Sequence, residues 1–153
     1  MLSRPTTEQI LLDCCRELMT NVLPSLTDAT AQVSVIMVET VLRNTAVRAA
    51  HEVAWMQAET AEIEGYAHEV AAQAADAEPL RAALAALAGA PRESLHLDDV
   101  VETYCRAGNA LSIALETAVA GGLAPLVLRG EEILDIRAGH ETEDMAGWSP
   151  TGR

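Results

Sequence analysis

Between Ser25 and Glu78 the chain has no proline and a single glycine, Gly65. Alanine is frequent in this span, and its large apolar residues return at helical spacing. A stretch of that length without breakers can only be helix, and helices of this kind must pack on one another to hide their apolar sides. The expected fold is therefore all-α: a single bundle of five or six helices with a long central helix. Residues 1–139 form the bundle in this reading, and residues 140–153 a polar, loosely ordered C-terminal tail carrying Trp148.

The 153 residues can bury a real core, and half of them are apolar, which argues against a disordered chain. There is no lysine and no phenylalanine; all ten basic residues are arginine, and 28 residues are alanine. Leu, Ile, Val, Met and Ala must then fill the core, with small side chains letting helices approach closely. The formal charge of −13 and the scattered arginines leave no basic surface to neutralise phosphates, so DNA and RNA are not expected partners. The longest apolar run, Val33 to Val38, is far shorter than the roughly 18 residues of a membrane span. Cys14, Cys15 and Cys105 are odd in number, and no apolar leader opens the chain, so a cytoplasmic protein with reduced thiols is expected.

Local signals place the elements. Thr6 and Gln9 form a possible capping box for a first helix, with Ile10, Leu11, Cys14, Cys15, Leu18 and Val22 along one side. Pro24 is expected to end it at Leu23. Thr27 or Asp28 caps the second helix. Val33, Ile36, Met37, Val41 and Asn44 share one face of it, and Val35, Val38, Leu42 and Thr45 widen that face. Apolar over most of its girth, this helix is expected at the centre of the fold. A break near Gln57–Thr60 and a third helix through Ile63, Tyr66, Val70 and Ala74 follow, with Gly65 suggesting a close helix crossing. Pro79 opens a fourth helix lined by Leu80, Leu84 and Leu87, which Gly89 and Pro91 terminate.

A fifth helix starts near Leu97-Asp98-Asp99, where acidic residues suit the positive end of the helix dipole. Its apolar stripe reads Val101, Tyr104, Cys105, Gly108, Leu111, Leu115 and Val119, and Gly121-Gly122 stops it. Leu126 to Arg137 reads as a sixth helix or as a hairpin turning at Gly130, with the helix favoured.

Reactive constellations are sparse. Paired carboxylate metal centres in helical bundles need two Glu-x-x-His pairs and two more glutamates. Only Glu93–His96 has that spacing, and it falls in a loop; Glu64 and His68 alone sit one turn apart. No nucleophile elbow, no phosphate-cradling glycine loop and no lysine for a Schiff base are present. No catalytic residue, metal ligand or cofactor is assigned. His51, Glu52, Trp55, Met56 and Glu59 are the one mixed polar, aromatic and sulfur cluster, a candidate for an interface or the rim of a pocket.

Leu11-Leu12-Asp13 through Val22-Leu23-Pro24-Ser25-Leu26, followed by the Ala- and Val-rich helix to Arg48, resembles a family of small all-helical domains of unknown function. These are found beside, or fused to, aminoglycoside-phosphotransferase-like and acyl-CoA-dehydrogenase-like proteins. The resemblance covers about the first third of the chain. It implies an accessory role near such enzymes and no known active site. Together these readings give a non-catalytic helical interaction domain that binds itself or a larger enzyme. The alternatives are a bundle holding a small molecule or acyl chain near Met37, Val41 and Met56, and a metal-dependent enzyme.

Overall fold

A computed structural model describes residues 4–144, with side chains as far as residue 140. Every regular element among the described residues is helical. They are α1 (Thr7–Glu17), a π-helical turn (Leu18–Val22), α2 (Leu23–Ser25), α3 (Ala29–Gln73), α4 (Glu78–Ala88), α5 (Leu97–Ala120) and α6 (Ala124–Asp144).

The ends follow from local chemistry. The Thr6 hydroxyl accepts from the Gln9 amide at 3.2 Å while the Gln9 side chain accepts from the Thr6 amide at 2.9 Å, the reciprocal cap expected from the sequence. Pro24 does not end the first helical run at Leu23. The backbone instead widens into the π turn, in which the Leu23 amide bonds back to Leu18, and stays helical to Ser25. The wider turn takes strain from the proline ring, and Thr20 helps by bonding the Arg16 carbonyl at 2.7 Å. Leu26 then turns extended, and Asp28 caps α3 by accepting from the Ala31 amide at 2.9 Å.

The break expected near Gln57–Thr60 is absent: α3 runs unbroken for 45 residues. Nothing in that stretch removes a backbone donor or relaxes the helix enough to bend it. At the end of α5, Gly122 takes φ +65° and the Leu123 amide reaches back to the Ala118 carbonyl at 2.9 Å, a glycine cap. The residue flanking the start of α5 is His96, with Asp98 and Asp99 in the first turn. The hairpin alternative for Leu126–Arg137 is not formed; α6 is continuous and passes Gly139, where the tail was expected to begin, to reach Asp144. Trp148 lies outside the described residues.

Contacts divide the chain into two compact units, residues 1–52 with 140–153, and residues 53–139. In the second unit α3 supplies Ile63, Tyr66 and Val70; α4 supplies Leu80, Leu84 and Leu87; Leu111 of α5 and Ile133 of α6 complete a dry core. Ala107, Ala114 and Ala118 on α5 are fully covered, so helices meet there at alanine distance. The stripe expected on α5 is thus rotated: Val101, Cys105 and Val119 are exposed, while Val100, Thr103 and the alanines are buried. The close crossing falls at Gly130 and not at Gly65. A Cβ on Gly130 would collide with Leu115 Cδ2 and lie 2.7 Å from the Tyr66 hydroxyl, whereas one on Gly65 would meet nothing within 4 Å.

The first unit is built differently. Cys15 of α1 packs on α3 and its thiol points at the Glu39 carbonyl, 3.6 Å away. Cys15 and Ala46 are its only buried hydrophobic residues among those described. Cys14, expected in the core with Cys15, is exposed. The stripe of α3 that is turned from water is Val35, Glu39, Leu42 and Ala46. The long helix expected from the sequence is present as α3, but its stronger apolar stripe, with Val33, Ile36, Met37 and Val41, is exposed among the described residues.

Candidate functional site

The five residues singled out from the sequence all lie on α3. His51 and Glu52 belong to the first unit. His51 is exposed, and Glu52 faces Arg48 at 3.6 Å in a one-turn ion pair. Trp55, Met56 and Glu59 belong to the second unit, where Trp55 and Met56 are half-buried and Glu59 is buried.

Glu59 anchors a polar lock. Tyr104 of α5 donates its hydroxyl proton to Glu59 Oε2 at 2.5 Å. Arg137 of α6 donates through Nε to the Tyr104 hydroxyl at 3.0 Å and stands 3.3 Å from the same carboxylate oxygen. Its guanidinium also lies over the Tyr104 ring, 5.0 Å from the centroid. A buried carboxylate is tolerated only when paired and hydrogen-bonded, and here one cation and one hydroxyl converge on it. Burial, and then the bond to Glu59, push the Tyr104 phenol above its ordinary value. Three helices are thereby tied at one point, each contributing one side chain.

A shallow pocket of about 220 Å³ lies on the same unit, between α3, the loop after α4 and the start of α5. Met56, Thr60 and Glu64 form one wall, Arg92 and Ser94 another, and Thr103 closes the end. The loop is held to the helix by Arg92, which donates to both oxygens of Glu64 at 2.7 and 2.9 Å. Ser94 bonds Asp99 at 2.5 Å and accepts from the His96 amide at 3.2 Å, which fixes the other end of the loop. On the α6 side, Arg129 bridges Glu62 and Glu69.

Of the residues considered for a metal, Glu64 is bonded to Arg92. His68 Nε2 comes only to 4.0 Å of Glu64, whose carboxylate is committed to Arg92. Among the described residues no three His, Cys, Asp or Glu side chains gather where they would hold an ion. The polar groups gathered at Glu59 and at Glu64 are paired with arginines. Sequence reasoning found Glu59 and Met56 but not Tyr104 as a polar partner, nor Arg137, nor the Arg92 clamp. These come from elements remote in sequence, and no local spacing announces them.

The described residues define an all-α protein. No protein-family model, curated protein or solved structure matches the chain. Among the described residues no helix is long and apolar enough to cross a membrane.

Proposed function

We propose that the chain is a non-catalytic helical interaction domain, an accessory element that associates with itself or with a larger enzyme. The observation that carries this reading is the uncovered apolar side of α3 in the first unit. Val33, Ile36, Met37, Val38, Val41 and Val47 are each between 37% and 61% exposed. Fully burying one such side chain is worth about 1.5–3 kcal/mol, so covering what these six still expose recovers on the order of 4–9 kcal/mol per chain. That is enough to meet a substantial part of the cost of association, roughly 4–15 kcal/mol. Contiguous apolar surface of this kind marks a contact site. The resemblance of the N-terminal third to accessory domains points to an acyl-CoA or phosphotransferase type of enzyme as the larger partner. The cytoplasm is the compartment this reading assumes, in keeping with the free thiols.

The test is the mass and company of the full chain purified from its native host. A species heavier than the 16.2 kDa chain, reduced by Met37→Glu, is expected. A strict monomer that brings down no partner overturns the reading.

A second reading is a small-molecule site in the pocket beside Met56, favoured by the clamp that holds its loop. Its volume of about 220 Å³ is under the roughly 300–1,000 Å³ of sites for drug-sized ligands, so the ligand would be small. Native mass spectrometry that retains a bound small molecule, lost on Thr103→Leu, would favour it. The acyl-chain form of this reading placed Met37 and Val41 in the cavity; both are exposed on the first unit.

A further inference from the structure

Resting on the small-molecule reading above, we propose that the pocket beside Met56 takes a small uncharged amide, bonded by the Thr60 hydroxyl and by the Glu64–Arg92 pair. The pocket lies wholly within the second unit, its lining residues falling between Met56 and Thr103. Its volume of about 220 Å³ is room for about seven non-hydrogen atoms, at the roughly 30 Å³ that one water takes in the liquid.

One hydroxyl in this pocket is unspent. Earlier on α3, Ser34, Thr40 and Thr45 each donate to the carbonyl four residues back, at 3.0, 2.9 and 2.8 Å. The other hydroxyls of the lining are also committed: Thr103 donates to the Asp99 carbonyl and Ser94 to the Asp99 carboxylate. Thr60 does neither. It is half-buried, lines the pocket and has no hydrogen-bond partner among the described residues. A helical threonine can satisfy itself on its own backbone in one of two common rotamers, and Thr60 forgoes that bond. A partly covered hydroxyl left over in this way is free to bond whatever enters the cavity.

Charge and hydrogen-bonding sense select the ligand. Arg92 donates to both oxygens of Glu64, at 2.7 and 2.9 Å, so this wall carries no net charge. A cation entering would meet Arg92 and an anion would meet Glu64. Either would also shed hydration against Met56, Ala61, Pro91 and Val100, which offer it nothing in return. Gln57, the remaining polar residue of the lining, is itself uncharged. The ion pair still presents both senses of hydrogen bond side by side. Arg92 has three N–H groups beyond the two given to Glu64, and each carboxylate oxygen keeps a further lone pair. An amide, with a carbonyl oxygen next to an N–H, answers both; a ketone or ether answers one, and a hydrocarbon neither. The Thr60 hydroxyl serves in either sense. The loop is already fixed by Arg92 at one end and Ser94 at the other, so binding has little ordering to offset.

The test is an NMR titration of the full chain with pentanamide, and with pentanoate and pentylammonium as charged counterparts of nearly the same size. Pentanamide should move the backbone amide signals of Thr60, Ala61, Ser94 and Val100, with a dissociation constant on the order of millimolar. Both ions should bind at least about tenfold more weakly. Thr60→Val keeps the shape of the side chain and removes the hydroxyl, so it should weaken pentanamide roughly fivefold, the worth of one neutral hydrogen bond. Thr60→Ser should retain the binding. Thr117→Val should leave it unchanged, since the Thr117 hydroxyl serves the Ile113 carbonyl at 2.7 Å and lines a different cleft. If either ion binds as tightly as pentanamide, or Thr60→Val binds it as the parent does, the amide assignment falls while the pocket stands as a small-molecule site. Pentanamide that leaves these signals unmoved overturns the proposal. If native mass spectrometry of the host protein then also retains nothing, the pocket reading goes with it.

Discussion

The hydroxyl of Tyr104 lies 2.5 Å from Oε2 of Glu59, forty-five residues away in sequence and on a different helix. Glu59 is nearly inaccessible, so the bond is made to a carboxylate that has little water to fall back on. Hydrogen bonds to charged groups contribute about 1.5–3 kcal/mol net. Tyr104→Phe is expected to lower stability by about 2 kcal/mol, or roughly 4–8 °C in melting temperature for a chain of this size. Arg137→Met should cost as much or more, about 2–3 kcal/mol after allowance for the quarter of Arg137 that water still reaches, because it takes this cation away from the buried Glu59 charge. Thermal melts of both variants check this. Two unshifted midpoints would mean that the lock contributes nothing.

Of the two tyrosines Tyr66 is buried and Tyr104 half-buried, and burial is the first cause that lifts each phenol above its ordinary 10.0. The native state then holds these protons more tightly than the unfolded chain does. The stability this provides is fully present below pH about 10 and is lost as the pH rises through the raised native values. Phenolate absorbance should therefore stay low past pH 10 and rise together with the loss of helical circular dichroism. A smooth tyrosine titration at the ordinary value, with the helices intact, would place both rings in water.

Two glycines on long helices should respond oppositely to the same change. Gly65 has open space where a Cβ would go, so Gly65→Ala should stabilise the protein by about 0.5–1 kcal/mol through helix propensity alone. Gly130 has Leu115 and Tyr66 where its Cβ would go, so Gly130→Ala should destabilise by about 1–3 kcal/mol or more. Denaturant unfolding of the pair gives the signs directly, and two shifts in the same direction would contradict the crossing at Gly130.

These glycines also show what the sequence could and could not convey. Helix ends were legible because their signals are local: Thr6 with Gln9, Asp28 and Gly121-Gly122 each act within a few residues. The all-helical fold followed from the same cause, the absence of breakers. Which glycine sits at a crossing depends on what lies opposite, and nothing near Gly65 or Gly130 in sequence states it. The face of α5 was misread because large residues draw attention to Val101, Cys105 and Val119, whereas Ala107, Ala114 and Ala118 make the contact. On α3 the apolar residues surround the helix, so periodicity could not say which side is covered. Glu59 was visible as a polar residue among apolar ones, but its partners are brought to it by α5 and α6 and leave no trace beside it.

The thiols offer a check on the first unit. Cys15 is 1% exposed, and burial, then the nearby Glu39 charge, raise its pKa, so little thiolate forms and reagent cannot reach it. Cys14 and Cys105 are exposed. In the native protein two thiols should react promptly with a disulfide reagent, and the third only on unfolding. Mass spectrometry should assign the slow site to Cys15. Prompt labelling of all three would show that α1 does not hold Cys15 against α3.

Tyr66 closes the comparison with Tyr104. Its ring fills the core of the second unit, yet its hydroxyl is buried without a hydrogen-bond partner among the described residues. A buried hydroxyl that makes no bond forfeits its hydration for nothing, at roughly 1–3 kcal/mol. Tyr66→Phe removes that group and keeps the ring, so it should be neutral or stabilising by up to about 1 kcal/mol, the opposite of Tyr104→Phe. It should also relieve Gly130→Ala in part, since the Tyr66 oxygen is among the atoms that crowd the added methyl. In a double-mutant cycle the cost of Gly130→Ala should fall by about 0.5–1 kcal/mol when Tyr66→Phe is already present. A Tyr66→Phe protein that melts well below the parent would show that the hydroxyl is bonded after all, and would remove the reason for the predicted relief.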